Sequence, residues 1–115
     1  MTPYFELWMV AFAWTLALEA PVYTLLLHRR LGVGRALASG LLASCITHPL
    51  LWFVVPQFAP YNLFLVVAES GVVVFETLIV AASLRHFTGD PRWRLSFVAS
   101  LVANVSSAVI GSLWL

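Results

Sequence analysis

Five residues with polar or ionisable side chains interrupt the long apolar stretches of this 115-residue chain: Glu19, His48, Glu69, Glu76 and Asn104. An ionised carboxylate at the centre of a membrane helix costs roughly 2.5–3.5 kcal/mol, so such a group is seldom placed there without a role. Transfer out of water favours the protonated form of a carboxyl group, and imidazole exchanges protons near neutral pH. The set therefore predicts handling of protons or cations, or binding of a small polar solute.

Metal binding is a second chemistry open to this region. Cys45 and His48 are three positions apart, on adjacent faces of one helix, and Glu69 would complete a three-ligand set. Thiolate, imidazole and carboxylate ligands together suit zinc or copper. A transition metal is therefore a candidate cofactor, although the sequence requires none.

Catalysis has less support than binding or transport. Ser106 and Ser107 could be combined with His48 and a glutamate into a hydrolytic set, but the chain has no nucleophile-elbow or serine–lysine pattern. A single cysteine also excludes an intramolecular disulfide and a multi-cysteine metal framework. We therefore expect a protein that is not an enzyme, while the catalytic alternative stays open.

The elements that must position these residues are long apolar helices. Hydrophobic residues make up 62% of the chain, charged residues only 10%, and the mean hydropathy is +0.96, whereas soluble domains carry about 25% charged residues. Four segments, at about 5–27, 34–55, 61–84 and 95–115, reach the roughly 20 residues that a membrane-spanning helix needs. None alternates polar and apolar residues. We predict an all-α integral membrane protein, a four-transmembrane-helix bundle forming one domain over residues 1–115.

The arginines predict the orientation of this bundle in the inner (plasma) membrane. All six lie near two of the three connections, and the chain has no lysine: Arg29, Arg30, Arg35, Arg85, Arg92 and Arg94. The positive-inside rule places both of these loops in the cytoplasm and both termini outside. Eight aromatic residues would then form a belt at the outer interface: Tyr4, Phe5, Trp8, Trp52, Phe53, Phe58, Tyr61 and Trp114. With a net charge of only +1, nucleic acid is not expected as a partner.

Spacing predicts the depth and direction of the polar side chains. His48 and Glu69 are each eight residues from the limits of the second connection. Glu19 and Glu76 are each nine residues from a basic helix end. We therefore expect two polar layers at different depths in the membrane, one with His48 and Glu69 and a deeper one with Glu19 and Glu76, and Asn104 close to the deeper layer. Four-residue spacing also places small and polar residues on one face of each helix, the face expected to turn inward. These faces carry Thr15–Glu19–Tyr23, Gly40–Ser44–His48, Glu69–Glu76 with Ser70 and Thr77, and Ser100–Asn104–Ser107–Gly111.

The two helical hairpins resemble each other in pattern. Glu19 and Glu76 occupy matching positions in the first helix of each hairpin, and His48 and Ser107 each follow an arginine by thirteen residues in the second. A tandem 2+2 duplication with both halves in the same orientation would produce these matches, as parallel repeats do in transporters. Chance agreement between two hairpins of similar length is the alternative.

Two functions remain open at this level. The first is proton- or cation-coupled transport, or binding of a small polar ligand or ion, by a homo-oligomer in the lipid bilayer, because four spans are too few to enclose a large substrate path. The second is an accessory or structural subunit of a larger membrane complex, in which the buried polar groups only specify helix packing. Buried carboxyl groups favour the first function, since a passive subunit does not need them.

Overall fold

The computed structural model describes residues 3–54 and 60–114, without the side chains of residues 61, 112 and 114. Helix α1 is Pro3–Leu31, α2 is Val33–Pro49, a π-helical turn follows at Leu50–Val54, α3 is Tyr61–Thr88 and α4 is Trp93–Trp114. The prediction of an all-α fold with four long helices is confirmed. Each of the four, with α2 and the π-helical turn taken together, is long and apolar enough to cross a membrane.

The helices run further than the apolar segments at one end of the bundle. Helix α1 extends to Leu31 and α3 to Thr88, past the predicted limits of 27 and 84, because arginine and histidine residues continue the helix after the apolar stretch ends. The predicted limits at 55 and 115, and the aromatic residue Phe58, lie outside the described residues. The side chains of Tyr61 and Trp114, also predicted for the aromatic belt, lie outside them too.

Glycine residues make both turns at the end of the bundle near which the arginines lie, which we call the basic end. Gly32 alone separates α1 from α2 and has φ 84° and ψ 160°, a conformation that residues with a Cβ rarely adopt. Gly89 ends α3 with φ 82°, and its N–H donates to the carbonyl of Arg85 at 2.9 Å. The guanidinium of Arg35 lies 4.2 Å from the ring centroid of Phe87, which joins the start of α2 to the end of α3.

The opposite end of the bundle, the aromatic end, contains the π-helical turn. Pro49 has no N–H, so the carbonyl of Cys45 lacks the donor that an α-helix would supply, and the helix widens from Leu50 onward. Aromatic rings from the start of α1 pack against this turn in a connected cluster of Tyr4, Phe5, Trp8, Phe12, Trp52 and Phe53.

Small and polar residues of α2 and α4 pack against larger buried residues of α1 and α3, such as Leu27 and Leu84. Helix α1 packs against α2 and α4, α3 packs against α2 and α4, and α1 and α3 face each other across the bundle. The buried residues of α2 and α4 are almost all small: Ala36, Ser39, Gly40, Ala43, Ser44 and Thr47, and Ser96, Ala99, Ser100, Ala103 and Asn104. A Cβ added to Gly40 would lie 2.7 Å from Cδ2 of Tyr23, so only glycine allows this approach of α1 and α2. Large apolar side chains such as Leu25, Val66 and Leu113 are exposed on the outside.

Candidate functional site

The four helices enclose a cavity of about 110 Å³ between the middle of the bundle and its aromatic end. This volume corresponds to nearly four water molecules at about 30 Å³ each, so the cavity suits a small polar group. All five residues singled out from the sequence line it: Glu19, His48, Glu69, Glu76 and Asn104. Residues 50 or more positions apart in the chain are thus brought to one place.

Glu76 is the most extensively bonded residue of the site. Its Oε1 atom accepts hydrogen bonds from Oη of Tyr23 at 2.6 Å and from Nδ2 of Asn104 at 2.9 Å. Its Oε2 atom accepts one from Oγ1 of Thr47 at 2.6 Å. The three donors come from α1, α4 and α2, so this one carboxyl group on α3 connects all four helices. The side chain is 1% exposed, and the hydrogen bonds supply what water would otherwise provide.

Glu19 is held in a similar way on α1. Its Oε1 atom accepts a hydrogen bond from Oγ of Ser44 at 3.0 Å, and its Oε2 atom accepts one from Oγ of Ser107 at 2.7 Å. Ser107 is therefore engaged with a carboxyl group. The serine–histidine hydrogen bond on which a hydrolytic set with His48 would depend is not formed.

The hydrogen bonds of the two buried glutamates follow one pattern. Each glutamate, one on the first helix of each hairpin, accepts one bond from α2 and one from α4. The donors are Ser44 and Ser107 for Glu19, and Thr47 and Asn104 for Glu76. Exchanging the two hairpins maps these four bonds onto one another, with Ser44 matched to Asn104 and Thr47 to Ser107 at an offset of 60 positions. This offset is one position more than the 59 that matched His48 with Ser107 in the sequence. The bond from Tyr23 to Glu76 has no counterpart, since the matching residue on α3 is Val80.

His48 lies at the aromatic side of the cavity. Its ring stacks against Phe12 and Trp52, with centroids 5.1 Å and 6.1 Å away and interplanar angles of 28° and 23°. Its Nε2 atom is hydrogen-bonded to Oγ1 of Thr15 at 3.1 Å. Its buried Nδ1 atom has no hydrogen-bond partner among the described residues. The ring is thus fixed in position while one nitrogen is left without a protein partner.

Glu69 differs from the other two glutamates of the cavity. It is partly buried on α3, and no described residue donates a hydrogen bond to its carboxyl group. Glu69 and Glu76 are seven residues apart, so they lie on nearly the same face of α3. Among the described residues, Glu69 is therefore the carboxyl group of the cavity with all of its acceptor sites open to a bound molecule.

The charge of the cavity favours a cation. Three carboxyl groups line it, and neither arginine nor lysine is among its lining residues. The arginines stand near the turns of the basic end, outside this cavity. In a medium of low dielectric constant, a positive group beside a carboxylate is strongly favoured over an anion.

The predicted metal site is not assembled. Within residues 3–54 and 60–114, no group of three or more His, Cys, Asp and Glu side chains is arranged to hold a metal ion. His48 and Glu69 both line the cavity, but Cys45 is exposed on the outside of α2. The reason is helix rotation: consecutive residues are turned by about 100°, so when Ser44 faces Glu19, Cys45 faces outward.

Sequence reasoning missed some of the residues that complete the site. Thr47 and Tyr23 were not among the candidate site residues, although they donate the two shortest hydrogen bonds to Glu76. The four-residue spacing on α1 places Tyr23 at the end of the inward-facing stripe. Gly40 on α2 leaves the space that the Tyr23 ring occupies, and this glycine is the feature of the sequence that could have indicated the contact. Trp52, placed in the aromatic belt from the sequence, also lines the cavity.

Comparisons with protein-family models, with curated proteins and with solved structures find no match to this chain.

Proposed function

We propose that the chain is a multi-pass protein of the inner (plasma) membrane, with both termini outside and both arginine-rich turns in the cytoplasm. Four helices of sufficient length and hydropathy support insertion. Many large apolar residues are exposed on the outside, and the buried residues of α2 and α4 are small or polar, as expected of a bundle surrounded by lipid. The placement of the arginines near one end of the bundle supports the orientation.

Within this bundle, the cavity binds a small cation or a polar solute that carries a proton, with Glu69 and His48 as the contacting residues. The observation that carries this proposal is the unequal bonding of the three carboxyl groups. Glu19 and Glu76 are occupied by donors from neighbouring helices, whereas Glu69 has none among the described residues. A cationic donor at Glu69 would complete its coordination and leave the interhelical hydrogen bonds intact.

Glu19 and Glu76 form the protonatable layer behind this contact, and Asn104 is their neutral partner. The three carboxyl groups line one small cavity, so a cation bound at Glu69 acts electrostatically on the other two. Arrival of a cation at Glu69 therefore exchanges with protons in the cavity. This coupling is the basis for proton- or cation-coupled transport.

A tandem duplication and a homo-oligomeric assembly complete the proposal. The pattern of four hydrogen bonds stays the same when the two hairpins are exchanged, which supports a 2+2 repeat with both halves in the same orientation. A cavity of about 110 Å³ has room only for a small solute, and four spans are few to enclose a path for a larger one, which supports assembly with further copies. The other proposed role, an accessory subunit of a larger complex, would use the same interhelical network for packing alone.

Labelling with dicyclohexylcarbodiimide, which modifies protonated carboxyl groups in apolar surroundings, tests the cation site. The full chain in lipid nanodiscs is labelled and each carboxyl group is quantified by peptide mass spectrometry. We expect Glu69 to react fastest, methylammonium to protect it, and acetate at the same concentration to have no effect. Equal labelling of Glu19, Glu69 and Glu76 without protection by methylammonium would contradict the proposal.

Native mass spectrometry of the protein extracted from its own membranes separates the two roles. A homo-oligomer agrees with the cation site as the functional element. A stable complex with a larger, unrelated chain, together with full retention of that complex in Glu69→Gln, would support the accessory role instead.

A further inference from the structure

A groove of about 410 Å³ runs along the outside of the bundle between α3 and α4. Six apolar side chains form most of its wall: Val66, Val73, Val74, Phe97, Leu101 and Val105. Glu69 and Asn104 belong to this wall and also line the central cavity. The groove and the cavity are therefore neighbours that share a carboxyl group and an amide.

A second groove, of about 310 Å³ between α2 and α3, provides the contrast. It shares Thr47, Leu51 and Val72 with the central cavity and has no ionisable residue in its wall. Thr47, its polar contact with the cavity, already donates its hydroxyl proton to Glu76. Of these two grooves, only the one between α3 and α4 leads to a carboxyl group without a donor.

The aromatic cluster fills the corresponding approach on the other side of the bundle. Phe12 and Trp52 both stack against His48, and Trp8 stacks on Phe12 with centroids 5.2 Å apart. A molecule approaching Glu69 between α1 and the π-helical turn would have to separate these rings. The groove between α3 and α4 requires no such rearrangement.

The chemistry of the groove defines what fits it. Its wall is apolar along most of its length, it ends at a carboxyl group and an amide, and it has no lysine, arginine or histidine. A hydrocarbon chain gains little by moving from lipid into such a groove, because the two surroundings are equally apolar. The gain comes from the head group, and the group that pairs best with a carboxylate in low dielectric is a cationic hydrogen-bond donor.

We propose that the groove between α3 and α4 is the lateral route by which a single-chain ammonium amphiphile enters from the lipid phase, with its ammonium group at Glu69 and its chain along Val105 and Leu101. This inference rests on the proposed cation site at Glu69 and adds both the class of ligand and its path. The amide of Asn104, on the opposite wall, lies where the head group passes from the groove into the cavity.

The test compares dodecylammonium, methylammonium and dodecanol as protectants of Glu69 against carbodiimide labelling in nanodiscs. We expect dodecylammonium to protect at a total concentration at least tenfold below that of methylammonium, because its chain concentrates it in the lipid phase from which the groove is entered. Dodecanol, which has the same chain without the charge, should give no protection. Val105→Trp, which fills the groove, should raise the dodecylammonium requirement at least tenfold and leave protection by methylammonium in place. Val67→Trp is the matched control, since Val67 is similarly exposed and lies in the groove between α2 and α3.

Four outcomes are decisive. If Val105→Trp has no effect, or if Val67→Trp has the same effect, the lateral route is wrong, while protection by methylammonium still supports the cation site. If neither ammonium compound protects Glu69 in the unmodified protein, the cation site itself is wrong. If protection by methylammonium is lost in Val105→Trp, the variant is distorted, and Leu101→Trp, one turn further along the same groove, replaces it under the same criteria. If dodecanol protects as well as dodecylammonium, the groove accepts any single chain and the ammonium specificity is wrong.

Discussion

Two glutamates on one face of α3, seven residues apart, have opposite surroundings. Glu76 lies where the bundle is tightly packed and accepts three hydrogen bonds from three other helices, whereas Glu69, nearer the aromatic end, has no donor among the described residues. The difference shows that the residue type alone does not define the role of a carboxyl group in an apolar bundle. The donors on the neighbouring helices also matter: they bond Glu76 extensively and leave Glu69 without a donor among the described residues.

The largest effect is expected from removing the structural carboxyl group. Glu76→Ala eliminates three interhelical hydrogen bonds, each worth roughly 0.6–1.7 kcal/mol within a membrane bundle, so the free energy of unfolding should fall by about 2–5 kcal/mol. Unfolding in mixed micelles of increasing denaturing detergent measures this loss. Glu69→Ala is the matched control and should lose less than half as much; equal losses would remove the distinction between the two glutamates.

The next effect concerns the approach of α1 and α2 that lets Tyr23 reach Glu76. Gly40→Ala introduces a Cβ that would lie 2.7 Å from the Tyr23 ring, and overpacking of this kind costs about 1–3 kcal/mol. Gly71→Ala, on α3, is the control, because an added Cβ there has no atom within 4 Å. The same unfolding experiment checks both variants, and a destabilised Gly71→Ala would show that glycine substitution itself, and not the contact with Tyr23, is responsible.

Glu69→Gln should leave the free energy of unfolding almost unchanged and strongly weaken the binding of methylammonium. Because no interhelical hydrogen bond is lost, the free energy of unfolding is expected to stay within about 0.5 kcal/mol of the unmodified protein. Carbodiimide labelling at position 69 should disappear, and binding of methylammonium should fall at least tenfold. A Glu69→Gln protein with unaltered methylammonium binding would place the cation elsewhere in the cavity.

The smallest effect is expected at Cys45. Its side chain is exposed, so Cys45→Ala should change the free energy of unfolding by less than about 0.5 kcal/mol. It should also leave methylammonium protection of Glu69 and the metal content of the purified protein, measured by elemental mass spectrometry, unchanged. A metal that copurifies with the unmodified protein and is lost from this variant would restore the Cys45, His48 and Glu69 set as a site.

Hydropathy and four-residue spacing were sufficient to predict four helices and most of their inward faces. Glu19, Tyr23 and Ser44 are buried as their stripes require, whereas Ser70, predicted beside Glu69 on the inward face, is exposed and donates to the carbonyl of Val66. Spacing along one helix gives the relative angles of its residues but not the rotation of that helix against its neighbours.

Helix rotation and helix offset also explain why the partners of the carboxyl groups could not be predicted. Thr47 donates a hydrogen bond to Glu76, which is 29 positions further along the chain. This contact depends on how far α2 is displaced along α3. The outward position of Cys45 has the same cause, since a rotation of α2 by about 100° would bring it inward. The sequence therefore predicted which residues are inside more reliably than which of them meet.

The one-residue connection at Gly32 has a consequence for how the protein is made. With a single residue between them, α1 and α2 form a tight antiparallel hairpin, which in the proposed topology is expected to enter the membrane as one unit. On that route Glu19 would enter the lipid together with Ser44, the hydrogen-bond donor of its own hairpin, and the second hairpin would bring Glu76 together with Asn104. Each half of the chain thus carries a first partner for its own carboxyl group during synthesis. The bonds from Ser107 to Glu19 and from Thr47 to Glu76 form only when the two newly made hairpins meet.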